Sequence, residues 1–251
     1  GQVYAAFGRS PDARARINGI DTSEALSVAG VIAVYTGAEM VADGLGDIPC
    51  GWLVKSKDGS DMNSAPHPPM AATLANYVGE PYALVVADSV QAAKQGAEMV
   101  VADFAELDAV IDVSQASVSE PIYESVERNV AYNWALGDED ATRMAFAKAA
   151  HVTTIDLTNN RLIPNALEPR ACLGVFEAAT GDYTLYTTSQ NPHLERLILS
   201  AFVQVAPEHK LRIVAPDVGG GFGSKRFVYS EETTVIWAAG KLRRPINWVA
   251  A

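Results

Sequence analysis

Ala215-Pro216-Asp217-Val218-Gly219-Gly220-Gly221-Phe222-Gly223-Ser224-Lys225 is the stretch on which the reading of this chain turns. The residues before it, KLRIV, have strand character, so the glycines fall at a strand end. Four glycines in five positions remove the β-carbons that would hold a ligand away from the backbone. They also permit positive φ, so that successive amide N–H groups can converge on an anion. A phosphate-bearing group would suit such a loop, and so, on composition alone, would a turn that holds nothing. Two generic phosphate motifs fail on spacing. A P-loop needs Gly before its lysine and Ser or Thr after it, where this chain has Ser224 and Arg226. The dinucleotide fingerprint needs a glycine three residues beyond Gly221 and a helix opening at once.

Downstream, the pattern predicts a helix from about Ser230 to Ala239, ended by Gly240, and then a strand in RRPINWV. That strand has only begun when the sequence stops at Ala251, so the chain reads as part of a longer one. Upstream, DYTLYTT reads as a strand that stops at Asn191 and Pro192. Gln190 sits at its end, where a side-chain amide can donate to a ligand oxygen or bond its own turn. Leu194, Leu197, Ile198, Ala201, Phe202 and Val205 form one apolar helical stripe. Glu168-Pro169-Arg170 reads as an ion pair or a buried structural carboxylate. HVTTIDL (151–157) alternates as a strand, with Ile155 and Leu157 inward. Gly137-Asp138 opens a helix through Ala141 and Lys148.

The first part repeats a strand–helix–strand theme. Strands are read in VYAAFGR, VIAVYTG (of the buried kind), PYALVVAD and MVVADF. A helix through Ala25 and Leu26 ends at Gly30, another is capped by Ser89, and residues 42–70 form a long surface loop. The whole is of the α/β (α+β) class.

Composition agrees with two units. Residues 1–113 hold 6 basic and 15 acidic side chains, residues 114–251 hold 13 and 15, and the whole chain carries −11. Such a balance argues against a phosphate-backbone partner, so no nucleic acid is expected. No apolar run is long enough to cross a bilayer, and no export leader opens the chain. Cys50 and Cys172 read as buried free thiols of a reducing cytoplasm. His67, His151, His193 and His209 share no metal-ligand spacing, and no protein metal site is expected. Glu231 and Glu232, at a helix start, are read as serving the helix dipole.

The motifs are more specific together than apart. APDVGGGFGSK (215–225), TTSQNPH (187–193) and LIPNALEPR (162–170) resemble the large subunit of the xanthine dehydrogenase/aldehyde oxidase/carbon monoxide dehydrogenase family of molybdenum hydroxylases. AAFGRSPDARARI (5–17), VAGVIAVYTGAEM (28–40) and VGEPYALVVADSVQAAKQGAEMVV (78–101) look like its α/β hammerhead domain. The likeness covers essentially the whole chain and is nearest to the carbon monoxide dehydrogenase-like branch. It implies a hammerhead domain over 1–113, a linker over 114–124, and the first part of a mixed α/β molybdopterin-binding domain over 125–251.

It further implies that Gln190 hydrogen-bonds an oxygen ligand of molybdenum, and that Gly220, Gly221, Phe222 and Gly223 lie against the metal and the pterin dithiolene. The cofactor would be molybdenum-molybdopterin, as the cytosine dinucleotide. An iron–sulfur small subunit and an FAD medium subunit would be partners, in a cytoplasmic dimer of heterotrimers. The implied reaction oxidises a small molecule with water-derived oxygen. Carbon monoxide is one substrate class, with an aldehyde or N-heterocycle as the alternative. The family's glutamate base belongs near the end of a full-length subunit, outside residues 1–251. No catalytic residue is therefore assigned, and residues 1–251 alone are expected to be inactive. Cys172 precedes the glycine loop and is not the family's copper-binding cysteine. From a different class, a short non-catalytic binding module is the rival reading.

Overall fold

Two sheets organise the protein, for which a computed structural model describes residues 1–250. In chain order the strands are β1 (Val3–Arg9), β2 (Ala15–Asp21), β3 (Val31–Thr36), β4 (Leu74–Ala75), β5 (Pro81–Ala87), β6 (Val101–Glu106), β7 (Ala171–Glu177), β8 (Asp182–Thr187), β9 (Leu211–Val214) and β10 (Ile246–Val249). The helices are α1 (Ser23–Ser27), α2 (Gly37–Ala42), α3 (Val90–Glu98), α4 (Glu139–Lys148), α5 (Pro192–Leu197) and α6 (Ser230–Leu242). Seven strands run β3-β5-β1-β10-β7-β8-β9, and three run β4-β2-β6. The class is mixed α/β, as expected.

The larger sheet crosses from one sequence unit to the other. Its junction is the parallel pairing of β1 with β10, Val3 opposite Ile246 and Tyr4 opposite Asn247. β5 shows why a strand there need not alternate. All seven of its residues are buried. Leu84 and Val86 enter the main core with Val3, Leu185, Ile236 and Ile246, while Ala83 and Val85 enter a second core with Ile17, Ala25 and Val100. The neighbouring β3 is a sheet edge and is only half-buried throughout, not buried as its apolar run suggests.

α6 is the central helix, buried at ten of its thirteen positions. Its buried threonines are satisfied locally. The hydroxyls of Thr233 and Thr234 donate to the carbonyls of Tyr229 and Ser230, at 3.0 and 2.6 Å. Gly240 does not end this helix, which runs on to Leu242 and closes on Arg243 at φ 54°. Instead, Gly240 makes room for a neighbour: a Cβ there would lie 2.3 Å from the Tyr183 hydroxyl. α1 likewise ends at Ser27, before Gly30. The cap at Ser89 forms as expected, accepting the N–H of Ala92, and Asp138 caps α4 in the same way by accepting from Ala141.

Three further expectations fail for physical reasons. His151–Leu157 is not a strand: it has no partner to ladder with, and Ile155 and Leu157 are exposed. The apolar stripe after Pro192 is mis-phased. Glu195, Ile198, Leu199 and Val203 are the buried residues, while Leu194, Leu197, Ala201 and Phe202 face outward. Ile198–Phe202 winds as a π turn, with Val203 N–H donating to the Ile198 carbonyl at 3.0 Å, and this rotates the face. Cys50 is exposed, because it sits in the irregular stretch between α2 and β4. Cys172 is buried as expected.

The cysteines give a direct check. A thiol reagent is expected to modify Cys50 readily and Cys172 only on unfolding, since burial pushes the Cys172 thiol well up. Two fast-reacting thiols in the native protein would contradict the placement of β7.

Candidate functional site

The glycine loop and Gln190 meet, and each holds the other in place. Gln190 is fixed first by its backbone, between the end of β8 and the start of α5. Its N–H donates to the Lys225 carbonyl at 2.8 Å. The Ser189 hydroxyl accepts from Asn191 N–H at 3.1 Å, and Pro192 opens α5, where a missing N–H costs nothing. The Gln190 side chain then accepts through Oε1 from the N–H groups of Gly223 at 3.1 Å and Lys225 at 3.3 Å. With Oε1 committed to acceptance, the carboxamide NH2 is the end that faces away from the loop as a donor.

Glu168 holds the other flank. Its Oε2 accepts from Gly219 N–H and from the Lys225 ammonium, both at 2.8 Å, and its carbonyl accepts from the same ammonium at 2.8 Å. The Lys225 hydrogen bond, followed by that from Gly219, holds the Glu168 carboxyl below its usual range. Glu168 and Arg170 therefore do not pair with each other. Arg170 turns to Glu231 at 3.1 Å and Glu232 at 3.6 Å.

Within Gly219–Lys225, five N–H groups find protein acceptors, and those of Gly221 and Phe222 find none among the described residues. The converging N–H groups expected of a bare glycine loop are thus mostly turned to Glu168, Gln190 and the loop's own carbonyls. Gly220 and Gly223 have φ of 100° and 90°, as the composition suggests. Phe222 joins them at φ 48°, unusual for a side chain of its size. It is 75% exposed, so it is not a core aromatic. Gly221 is needed for contact: a Cβ there would fall 2.4 Å from Cδ and Oε1 of Gln190.

The structure thus brings all five candidates, Gln190, Gly220, Gly221, Phe222 and Gly223, into one place. It adds three residues to which the sequence pattern assigns no role at the site. Lys225 and Glu168 clamp the loop, and the Tyr229 hydroxyl donates to the Ser224 carbonyl. The Arg170 guanidinium lies 3.8 Å above the Tyr229 ring, which ties the loop to the start of α6. The only sequence signal for this bracing is the EPR triplet, which gives no direction for either side chain. A groove of about 760 Å³, lined by Phe7, Arg9, Tyr82 and Trp248, opens elsewhere and shares no residue with the loop. Among the described residues no group of His, Cys, Asp and Glu is arranged to hold a metal ion, and no helix is long and apolar enough to cross a membrane.

Comparison with known proteins matches residues 122–251 to the molybdopterin cofactor-binding domain family and residues 1–108 to the aldehyde oxidase and xanthine dehydrogenase a/b hammerhead domain family. The chain is 33% identical to the nicotine 6-hydroxylase large subunit of Paenarthrobacter nicotinovorans, over 99% of this chain and 30% of that protein. It is 31% identical to the carbon monoxide dehydrogenase large chain of Afipia carboxidovorans, over 99% of this chain and 31% of that protein. The structure of reconstituted CO dehydrogenase from Oligotropha carboxidovorans superposes with a TM-score of 0.87 at 30% identity, covering 100% of this chain and 32% of that one. The chain therefore spans about a third of the length of these relatives.

Proposed function

Because the chain belongs to the molybdopterin cofactor-binding domain family, with a hammerhead domain ahead of that region, we propose that it is the cofactor-holding part of the catalytic large subunit of a molybdenum-dependent oxidoreductase. On this reading the hammerhead covers residues 1–113, a linker 114–124, and the start of the molybdenum domain 125–251. The observation that carries the proposal is the clamp between Gln190 and the glycine loop.

The residues fit the group. Gly221 has no room for a side chain, so the backbone stands as close to Gln190 as an amide allows. The Gln190 NH2 is left as a donor, and the N–H groups of Gly221 and Phe222 have no protein acceptor among the described residues. An electron-rich, oxygen-bearing centre is what three such donors suit. The pterin supplies the metal's sulfur ligands, so the protein need supply none. When bound, the cofactor supplies the two-electron oxidation of a substrate with oxygen drawn from water.

What this chain contributes is position. Gln190 and Gly220–Gly223 would face the cofactor, and Glu168, Lys225 and Tyr229 would hold them rigid. The proton-accepting glutamate would come from sequence outside residues 1–251. The cofactor would be the cytosine dinucleotide form. Electrons would leave to an iron–sulfur subunit and an FAD subunit, in a cytoplasmic dimer of heterotrimers. The substrate proposed first is of the carbon monoxide dehydrogenase type. An N-heterocycle is the second reading, favoured by the 33% identity to a nicotine hydroxylase.

Two variants of Gln190 separate donation from loop-holding. In the assembled enzyme, Gln190→Ala is expected to lower turnover while molybdenum stays bound. Gln190→Glu keeps an oxygen for the Gly223 and Lys225 N–H groups but loses the NH2 donor, and is expected to lower turnover as well. Unchanged turnover in both variants sinks the role of Gln190. Purified enzyme without molybdenum or pterin sinks the whole reading.

A further inference from the structure

The row of side chains that runs up to Ser189, next to Gln190 in sequence, carries Arg170, Cys172, Thr187 and Ser189 beside Trp248, where the interior of a sheet is ordinarily apolar. Cys172 lies opposite Thr187 on one side and Trp248 on the other, so the three share a face of the larger sheet. The ladder continues with Thr188 N–H donating to the Ala171 carbonyl at 3.1 Å. Two residues before Cys172 and two after Thr187, Arg170 and Ser189 therefore fall on that same face.

Against this row α5 sets Glu195, and the first turn of α6 sets Glu231 and Glu232. All three are nearly free of solvent, at 3%, 5% and 4% exposure. The cations facing them are Arg170, which reaches both α6 carboxylates, and Arg9, which reaches Glu231 at 2.7 Å. Glu195 has no ion-pair partner among the described residues. Its polar neighbours are Glu232 and the Ser189 hydroxyl. The other titratable groups around the cluster are the Cys172 thiol, Tyr229 and, near Glu231 and Arg9, Tyr77.

Two features of this cluster are unresolved by protein groups alone. Three buried polar atoms lack any hydrogen-bond partner: Thr187 Oγ1, Glu195 Oε1 and Arg170 Nη1. Buried polar atoms are ordinarily satisfied by protein or by internal water. The charges do not balance either. Three ionised carboxylates would face two guanidiniums, and an uncompensated buried charge is expensive.

One proton resolves the charge and one water resolves the Thr187 and Glu195 atoms, while Arg170 Nη1 keeps only its ion pair with Glu232 at 3.6 Å. We propose that Glu195, Glu232 and Thr187 form a buried proton- and water-binding site behind the glycine loop, in which the two carboxyl groups hold one proton between them and an internal water joins Glu195 to the Thr187 hydroxyl. With that proton in place, two negative charges meet two positive ones. When it leaves, the excess charge falls on Arg170, whose guanidinium stacks on Tyr229, and Tyr229 holds the Ser224 carbonyl of the loop. The site is therefore wired to the loop that carries Gln190's partners. Burial pushes both carboxyls up from their ordinary range, and Arg170 offsets that for Glu232 only in part.

The site stands or falls apart from the proposed cofactor, because its test needs no turnover. A carboxyl raised on folding binds its proton more tightly in the folded state, so stability is full below the ordinary carboxylate value and falls as pH rises through the folded one. The unfolding midpoint of the complete polypeptide should drop between about pH 5 and about pH 9, and this slope should flatten in Glu195→Gln. Infrared spectra at neutral pH should show a protonated carboxyl band in the wild type that is missing in Glu195→Gln. Glu232→Gln, which also removes the pair, should flatten the slope too if Glu195→Gln fails to fold. Absence of the band in the wild type, or an unaltered slope in the variants, overturns the shared proton. A crystal structure with no water between Glu195 and Thr187 overturns the bridge.

Discussion

Gly221→Ala is expected to lower turnover of the assembled enzyme about 100-fold, the order of loss that follows when a site group is displaced by about 1 Å. The added Cβ would lie 2.4 Å from Cδ and Oε1 of Gln190 and 2.7 Å from Cγ. It cannot be absorbed by a flexible tip, since the atoms struck are the carboxamide itself and the methylene that carries it. Gln190 has to swing away, and both N–H bonds to its Oε1, from Gly223 and Lys225, break with it. Each such bond is worth about 1 kcal/mol, so the fold should survive while the placement of the NH2 does not.

Gly181→Ala is the control, in the turn between β7 and β8 and outside the site. That glycine has φ 74°, and a methyl group added to it would meet nothing within 4 Å, so the change costs about 1–2 kcal/mol of backbone strain without a clash. The check is turnover alongside molybdenum content for Gly221→Ala, Gln190→Ala and the double variant. If Gly221 acts through Gln190, the double variant is no worse than Gln190→Ala alone. Additive losses, or wild-type turnover in Gly221→Ala, would show that the close approach of loop and carboxamide is without function.

What the sequence disclosed about this site is a matter of which forces are local. Gly220 and Gly223 take positive φ because a glycine cluster has few other uses, and that is written in composition. Ser89 and Asp138 cap their helices through bonds spanning three residues, so they too are legible. The contacts that set Gln190 and Glu168 cross 33 to 57 residues. Nothing in the spelling of EPR says that Glu168 turns to Lys225 while Arg170 turns to Glu231. The failures of pattern have the same origin. His151–Leu157 alternates like a strand but has no neighbour to pair with, and strand formation is a property of two segments. Glu195 is the one buried residue of α5, while Leu194 and Leu197 face outward, because a polar cluster receives it there. Cys50 and Cys172 look alike in sequence, and only the neighbours of β7 distinguish them. The parallel pairing of β1 with β10, which makes one sheet from two sequence units, joins residues at opposite ends of the chain.

Arg170→Met is expected to be the most destabilising single change, by about 3 kcal/mol at neutral pH, because it removes one partner of a buried ion-pair cluster and strands the others. Methionine keeps much of the volume, so the loss is one of charge and hydrogen bonding. Burial alone would raise the Glu231 carboxyl. Arg170 and then Arg9 outweigh it and hold Glu231 below its usual value. A carboxyl lowered on folding contributes stability that is present above its unfolded value and lost as pH falls through the folded one. The difference between wild type and Arg170→Met should accordingly be largest near neutrality and shrink toward about pH 4, where the stranded carboxylates take up protons. Arg170→Lys should recover only part of the loss, since an ammonium cannot serve Glu231 and Glu232 as a planar fork while stacking on Tyr229 at 3.8 Å. Denaturant midpoints measured across that pH range decide the matter. A loss that does not vary with pH would mean that Arg170 acts by packing on Tyr229 and Trp248. A loss below about 1 kcal/mol would mean that Arg9 alone balances the α6 carboxylates, as a weak surface pair could not.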